Sequence, residues 1–258
     1  MYYFNIGPMS HFYLPGNWQE SQILAPESLR HHLRVRRVFP GESIAVFNGA
    51  GMVANASIDG ASTDKKLLLN ISNPREDLSR ESNYPITLIQ GLAANEKMDW
   101  LIEKAVELGV SSIIPVQAQR SVLKVNAQQD EKKAQKKIDH WTQIIIAACE
   151  QCDRTVLPTL EAPQTLNQFL ANFDVSSCAQ LPIVLSPLGT LKLVSILKRA
   201  PGQGVALMVG PEGGFDENEM QSIEQRGWMS AAMGHRILRT ETAGISAISA
   251  VHAIWGGF

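Results

Sequence analysis

The 258-residue chain contains no run of about eighteen consecutive apolar residues, which excludes an ordinary transmembrane helix. Its first residues lack a basic stretch followed by an apolar segment, so no secretory signal is expected and the protein is placed in the cytoplasm. Cysteine is scarce: Cys149, Cys152 and Cys178 are odd in number and too few for a disulfide framework. No GxxxxGK[ST] loop and no GxGxxG run occurs, which disfavours a nucleotide-hydrolysing enzyme. Excess charge is also missing. The formal net charge of −2 argues at first against a nucleic-acid partner.

The distribution of charge argues otherwise. Residues 1–75 hold seven Lys/Arg against five Asp/Glu, and the remainder of the chain carries the acidic excess. Local basic stripes matter more for phosphate contact than the global sum. Within this region His31 and His32 stand beside Arg34, Arg36 and Arg37, a cluster that fits a metal pair, a solvated helix face or an RNA-contacting stripe. Lys132, Lys133, Lys136 and Lys137 fall on a charged helix start, the usual character of a solvated face, with RNA contact as the alternative. Glu150 and Arg154 are spaced i, i+4, as in a surface helix pair. Cys149-Glu150-Gln151-Cys152 has CxxC spacing, but with no second pair and no histidine at metal spacing it lacks the ligands of a structural zinc site. Both thiols fall on the apolar stripe of a helix and read as core residues, so no metal is expected.

Hydropathy patterning divides the chain in two. From Ser43 to Ser72 short apolar pieces (SIAVF, MVANASI, KLLLNIS) form a small β-rich module, with Asn48 to Gly51 as a hairpin turn. Asn73 to Pro85 is charged and bracketed by prolines, which places the linker there and gives domains of 1–73 and 84–258. Beyond it, strands and helices alternate. Strands are predicted at Ile86 to Leu92, at Val110 to Val116, and near 155–160, 181–186, 205–209 and 228–233. Helices are predicted at Lys97 to Leu108, from about Asp130 to Asp153, and at Ala243 to Ile254. This alternation implies a mostly parallel α/β sheet covered on both faces. The last helix is small and apolar on every side, which implies burial all round and, at the end of a chain, a homodimer.

Two segments carry the most chemistry. Gly210-Pro211-Glu212-Gly213-Gly214 follows the apolar run Val205 to Val209, and Asp216 with Glu219 gives capping-box spacing for a helix closed by Gly227. Ile237-Leu238-Arg239-Thr240-Glu241-Thr242-Ala243 follows the strand Trp228 to Met233. Loops at such strand ends are where α/β proteins build ligand sites.

Together these segments resemble the 16S ribosomal RNA uridine-N3 methyltransferase family (the RsmE family) of the SPOUT class. Three further segments fit the same family: Glu96 to Gly109 (EKMDWLIEKAVELG), Ala147 to Arg154 (AACEQCDR) and His32 to Arg37 (HLRVRR). Met233 and His235 depart from it, standing where leucine and proline are more usual. The resemblance implies a SPOUT-type domain with a C-terminal trefoil knot, preceded by a small PUA-like β-barrel; sequence pattern alone implies an unknotted sheet. It also implies S-adenosyl-L-methionine as cofactor, held by Leu185, Ser186, Pro187, Val209, Gly210, Pro211, Glu212, Gly213, Met233, Gly234, Ile237, Leu238, Thr240, Thr242 and Ala243.

For RNA, the resemblance points to His32, Arg34, Arg36, Arg37, Lys97, Arg120 and Arg154, with 16S ribosomal RNA or the assembled small subunit as partner. Arg239 and Glu241 are the candidate catalytic residues, for which a buried structural ion pair is the alternative. An AdoMet- and RNA-binding regulator without transferase activity is the competing function.

Overall fold

The computed structural model describes residues 11–39, 41–63, 66–125, 130–175 and 177–257; Lys65, part of the basic balance, lies outside them. The chain divides into two compact units. The first runs to Glu81 and takes in Cys149–Leu157; the second comprises Ser82–Ala148 and the chain from Pro158 onward.

The first unit is built from β1 (His11–Tyr13), β2 (Gln22–Leu24), α1 (Glu27–Val35), β3 (Ser43–Phe47), β4 (Met52–Ile58) and β5 (Leu68–Glu76). They form one sheet in the order β1-β3-β4-β5-β2, antiparallel except for the parallel β1/β3 pair. The β3–β4 turn closes because the Asn48 side chain accepts the N–H groups of Ala50 at 2.8 Å and Met52 at 3.1 Å, while Gly49 and Gly51 adopt positive φ. Helix α1 buries Leu29 and Leu33, one turn apart, against Phe12, Leu14, Val46 and Leu69.

Strand β5 extends to Glu76, so Asn73 to Glu76 are strand rather than linker. Their side chains face solvent, and a backbone ladder on an exposed strand end leaves no apolar period to read. The segment 77–81 is also tied down. Thr155 donates its hydroxyl to the Asp77 carbonyl at 2.6 Å, and the Glu81 carboxylate holds the Arg154 guanidinium at 2.7 Å. Arg154 is 4% exposed and Glu81 also accepts the N–H groups of Thr155 and Val156. The two charges are therefore well satisfied away from water.

The second unit continues with β6 (Ile86–Gly91), α2 (Asn95–Glu107), β7 (Ser112–Gln117), α3 (Glu131–Cys152), β8 (Thr159–Leu160), β9 (Gln164–Thr165) and α4 (Leu166–Asn172). There follow β10 (Leu181–Leu185), β11 (Leu191–Lys192), α5 (Leu193–Arg199), β12 (Val205–Val209), α6 (Glu217–Gln225), β13 (Met229–Ala232) and α7 (Thr240–Trp255). The last residues of α3 belong to the first unit. Every pairing in this sheet is parallel, in the order β11-β13-β10-β12-β6-β7-β8, with β9 also on β7.

Strands β6 and β12 are buried along their whole length between two helix layers; β12 is a continuous apolar run, whereas β6 carries buried Thr87 and Gln90. Ile89, Ala206 and Met208 meet α4 and α6 on one face, where Phe169, Ile223 and Trp228 complete the cluster. On the other face α7 packs on β6, β12, α2 and α5. A Cβ on Gly244 would make ordinary contacts of 3.7–3.8 Å with Gln90, Leu88 and Leu101, so the packing of α7 here does not require glycine.

Helix α6 starts with the expected capping box: Asp216 accepts the Glu219 N–H at 2.8 Å and Glu219 returns the bond at 3.0 Å. Gly227 follows its C-cap with φ +88°. Helices α4 and α5, seven residues each, are too short to show a period in the sequence. Helix α7 begins earlier than predicted, at Thr240. Ile248 and Val251 on it are fully buried within the chain, so they do not form an exposed dimer face. Among the described residues no helix is long and apolar enough to cross a membrane.

Replacing Glu81 by alanine removes the carboxylate that the buried Arg154 guanidinium is paired with. A loss of about 3–5 kcal/mol of stability in the first unit is expected, read by urea unfolding, and a loss under about 1 kcal/mol would mean that solvent reaches the arginine.

Candidate functional site

The carboxyl ends of four neighbouring parallel strands, β6, β10, β12 and β13, open on one side of the sheet. The loop leaving β12 touches the end of β6 backbone to backbone. A Cβ on Gly91 would meet the Pro211 nitrogen and stand 2.8 Å from the Gly210 carbonyl carbon. Only glycine permits that approach. The same loop is fastened to α7: buried Thr240 donates its hydroxyl to the Gly210 carbonyl at 2.5 Å and accepts the Gln90 side-chain N–H at 2.8 Å. A turn then follows, with the Gly214 N–H on the Pro211 carbonyl at 2.8 Å and φ of +68° at Gly214.

Charged groups brace the loop. The Glu212 carboxylate accepts the Ala94 N–H at 3.0 Å and lies 3.2 Å from the Lys97 ammonium. Burial works to raise its pKa, but the Ala94 N–H and Lys97 outweigh it and hold the carboxyl below its ordinary value. Arg120 donates to the Gly213 carbonyl at 3.0 Å, and the Gln119 N–H reaches Glu219 at 2.8 Å. On the far side the loop after β10 lies on β13: the Ser186 N–H binds the Ala231 carbonyl at 2.9 Å, and Gly189 is pressed against the Ala231 backbone.

These loops enclose a cavity of about 650 Å³. Leu185, Ser186, Pro187, Val209, Gly210, Pro211, Glu212, Gly213, Met233, Gly234, Ile237, Leu238, Thr240 and Ala243 all line it. Thr242 is outside, turned to solvent on α7. The wall also contains residues that sequence reasoning misses, among them Leu188, Phe215, Met220, Glu224 and Arg236. Phe215 and Met220 carry a usable signal, since both are apolar positions at the entry of a capped helix that follows a glycine loop.

Arg239 and Glu241 do not form a buried ion pair. Arg239 is the exposed N-cap of α7, and Glu241 lies in the first turn of that helix, 4.0 Å from Lys97 through an Oε2 that has no hydrogen-bond partner among the described residues. Neither lines the cavity. Residues two apart at a helix start project to different sides, which separates the charges.

The cations assigned to RNA divide into two groups. Arg34, Arg36 and Arg37 are exposed at the end of α1, and half-exposed His32 lies 3.3 Å from Glu150 and edge-on to Phe12. Burial raises the Glu150 pKa, against the Tyr13 N–H, His32 and Arg36, which favour its charged form. By contrast Arg120 and Lys97 are engaged with the GPEGG loop. Arg154 requires correction. It is buried on Glu81 and presents no guanidinium to a phosphate, and it lies beyond the end of α3, so the i, i+4 pair with Glu150 does not form. Cys149 is buried, and burial pushes its thiol up to about 12, as for a core residue.

Comparison with known proteins agrees with this geometry. A family model described as RNA methyltransferase domain matches residues 80–252. Ribosomal RNA small subunit methyltransferase E of Bacillus subtilis (strain 168) is 33% identical over 228 residues, covering 87% of either chain. Among solved structures, ribosomal RNA small subunit methyltransferase E from Neisseria gonorrhoeae, bound to S-adenosyl methionine, superposes with a TM-score of 0.82 at 32% identity, over 96% of this chain and 98% of that one. A Legionella pneumophila protein with the bound cofactor SAM gives a TM-score of 0.85 at 33% identity, over 95% of this chain and 97% of that one. A likeness of this extent, at the level of sequence and of backbone together, means that the chain belongs to the ribosomal RNA small subunit methyltransferase E family.

Proposed function

We propose that the chain transfers a methyl group from S-adenosyl-L-methionine to N3 of a uridine in 16S ribosomal RNA, as naked RNA or within the small subunit. The observation that carries this reading is the cavity at the strand ends. Its volume falls in the range of small-molecule sites, and its wall combines exposed backbone of glycine loops with Leu185, Pro187, Phe215 and Leu238 for an adenine. Asp216, Glu217 and Glu224 on the same wall suit a ligand that carries positive charge. The residues present therefore fit the cofactor. When bound it supplies a methyl group already activated on a sulfonium, and no metal is needed.

The chain must then expose the Watson–Crick edge of the base, remove the N3 proton and align the nucleophile. We assign the proton to Glu241, whose Oε2 is an acceptor without a donor. Exposed Arg239, just beyond Leu238 of the cavity wall, favours the uridine anion by its positive charge.

We further read the first unit as a PUA-like barrel that grips RNA through Arg34, Arg36 and Arg37. The second unit is read as a SPOUT domain whose strand order, with β12 inserted between β6 and β10, suits a C-terminal trefoil knot. The working form in this reading is a cytoplasmic homodimer joined through the C-terminal unit. Transfer of labelled methyl from S-adenosyl-L-methionine to 16S ribosomal RNA, with the modified uridine located by primer extension, tests the function. Cofactor binding with no transfer would favour the regulator.

Gly91→Ala should weaken S-adenosyl-L-methionine binding about tenfold, because overpacking of about 1–3 kcal/mol at the Pro211 contact displaces the cofactor loop. Isothermal titration reads the change, and an unaltered affinity would place the cofactor away from the GPEGG loop. Neutralising Arg34, Arg36 and Arg37 together should weaken RNA binding and lower the slope of log affinity against log salt by up to about three, leaving cofactor affinity alone. A salt series on the variant decides it; an unchanged slope returns the stripe to a solvated face.

A further inference from the structure

Three segments of the second unit bring charged groups to one ammonium. Lys97, in the first turn of α2, lies 3.2 Å from Glu212 of the cofactor loop and 4.0 Å from Glu241 of α7. Glu212 Oε1 is fully engaged, since it also takes the Ala94 N–H. Glu241 Oε2 is not. It is buried and lacks a hydrogen-bond donor among the described residues, and 4.0 Å is beyond hydrogen-bond reach of Lys97.

A buried carboxylate oxygen left in this way is costly, and the two carboxylates have one cation between them. Other polar neighbours do not relieve it. Gln90 turns its N–H groups to Thr240 and the Gly91 carbonyl, and its own Oε1 is likewise buried without a donor. Lys137 is occupied with Asn95 at the start of α2.

We propose that Lys97 is a positioning residue for the methyl transfer, locking the cofactor loop through Glu212 while standing 4.0 Å from Glu241, whose carboxylate is left to receive the proton of the target base. The inference rests on the uridine-N3 reading. In the step it serves, the N3–H bond breaks, the proton passes to the Glu241 carboxylate and the electron pair stays on N3 to bond the methyl carbon, whose bond to the sulfonium sulfur breaks and leaves its pair on a neutral thioether. Lys97 faces Glu241 across 4.0 Å, too far to occupy the oxygen itself. The arrangement also revises the sequence expectation for Lys97, because an ammonium shared by two carboxylates has little to offer a phosphate.

Lys97→Met, Lys97→Arg and Glu241→Gln separate these roles. Lys97→Met should weaken S-adenosyl-L-methionine binding about three- to fivefold by titration, the scale of a partly exposed ion pair. Its kcat with both substrates saturating should fall about tenfold or more. Its KM for RNA and the salt dependence of RNA binding should not move. Lys97→Arg should restore cofactor affinity to within about twofold and recover most of kcat, since the cation is retained. Glu241→Gln should keep cofactor affinity and lose kcat.

The proposal is overturned if Lys97→Met leaves cofactor affinity intact, or if it instead raises the RNA KM and flattens the salt dependence by about one unit, the mark of a phosphate contact. Should Lys97→Met fail to fold, Glu212→Gln takes its place, with the same loss of cofactor affinity expected and an unchanged affinity fatal to the idea. A wild-type protein that transfers no methyl group to uridine counts against the uridine reading itself, whereas the titrations of Lys97 and Glu212 variants need no RNA and judge the locking role separately.

Discussion

The close approach of the β6 end to the β12 loop, at Gly91 and Pro211, is the constraint on which the rest of the second unit depends. Two parallel strands lie side by side with no side chain between their carboxyl ends, and both are buried along their whole length, Gln90 being the polar side chain at the end of β6. The contact leaves the Gly210 carbonyl facing the first residue of α7, where Thr240 closes the bond and Gln90 steadies the threonine from below. Two side-chain hydrogen bonds, set up by this backbone proximity, thus join the first strand of the unit to its last helix. A glycine pair and one buried hydroxyl hold together segments 150 residues apart in the chain, the separation of Gln90 from Thr240.

Much of this is legible in the sequence because the physics is local. The apolar run Val205 to Val209 is strand β12 residue for residue, and the Asp216–Glu219 box starts α6 as its spacing demands. The loops that line the cavity are legible for a different reason: glycine and proline at strand ends announce backbone that must come close to something. What stays hidden is either short or polar. β8, β9 and β11 are two residues each, far below the length at which a period appears, and the exposed end of β5 is a strand by hydrogen bonding alone.

Side-chain direction is the other hidden quantity. Arg239 and Glu241 look like partners in the sequence, two residues apart in an apolar setting, but the start of α7 at Thr240 turns them apart. Thr242 leaves the cavity for the same reason, while Thr240 and Ala243, on the turn that faces inward, line it. With the helix start placed at Thr240 instead of Ala243, helical geometry sorts Thr240, Glu241, Thr242 and Ala243 into positions on and off the cavity wall.

A count of basic residues cannot distinguish cations available to RNA from cations already consumed. Arg154 is spent on Glu81, Arg120 on the Gly213 carbonyl, Lys133 on the Lys124 carbonyl and Lys137 on Asn95. By residue type, each of these is as suitable for phosphate as the arginines of α1. The α1 arginines differ in what surrounds them: Arg34 and Arg37 make no ion pair among the described residues, and Arg36 acts only on Glu150. A net charge of −2 is therefore no argument against an RNA partner, because charged side chains such as Arg154 and Arg120 are engaged within the fold, while the exposed Arg34, Arg36 and Arg37 are concentrated on one helix end. Local satisfaction of charge, which only the fold reveals, decides which part of a nearly neutral chain a polyanion meets.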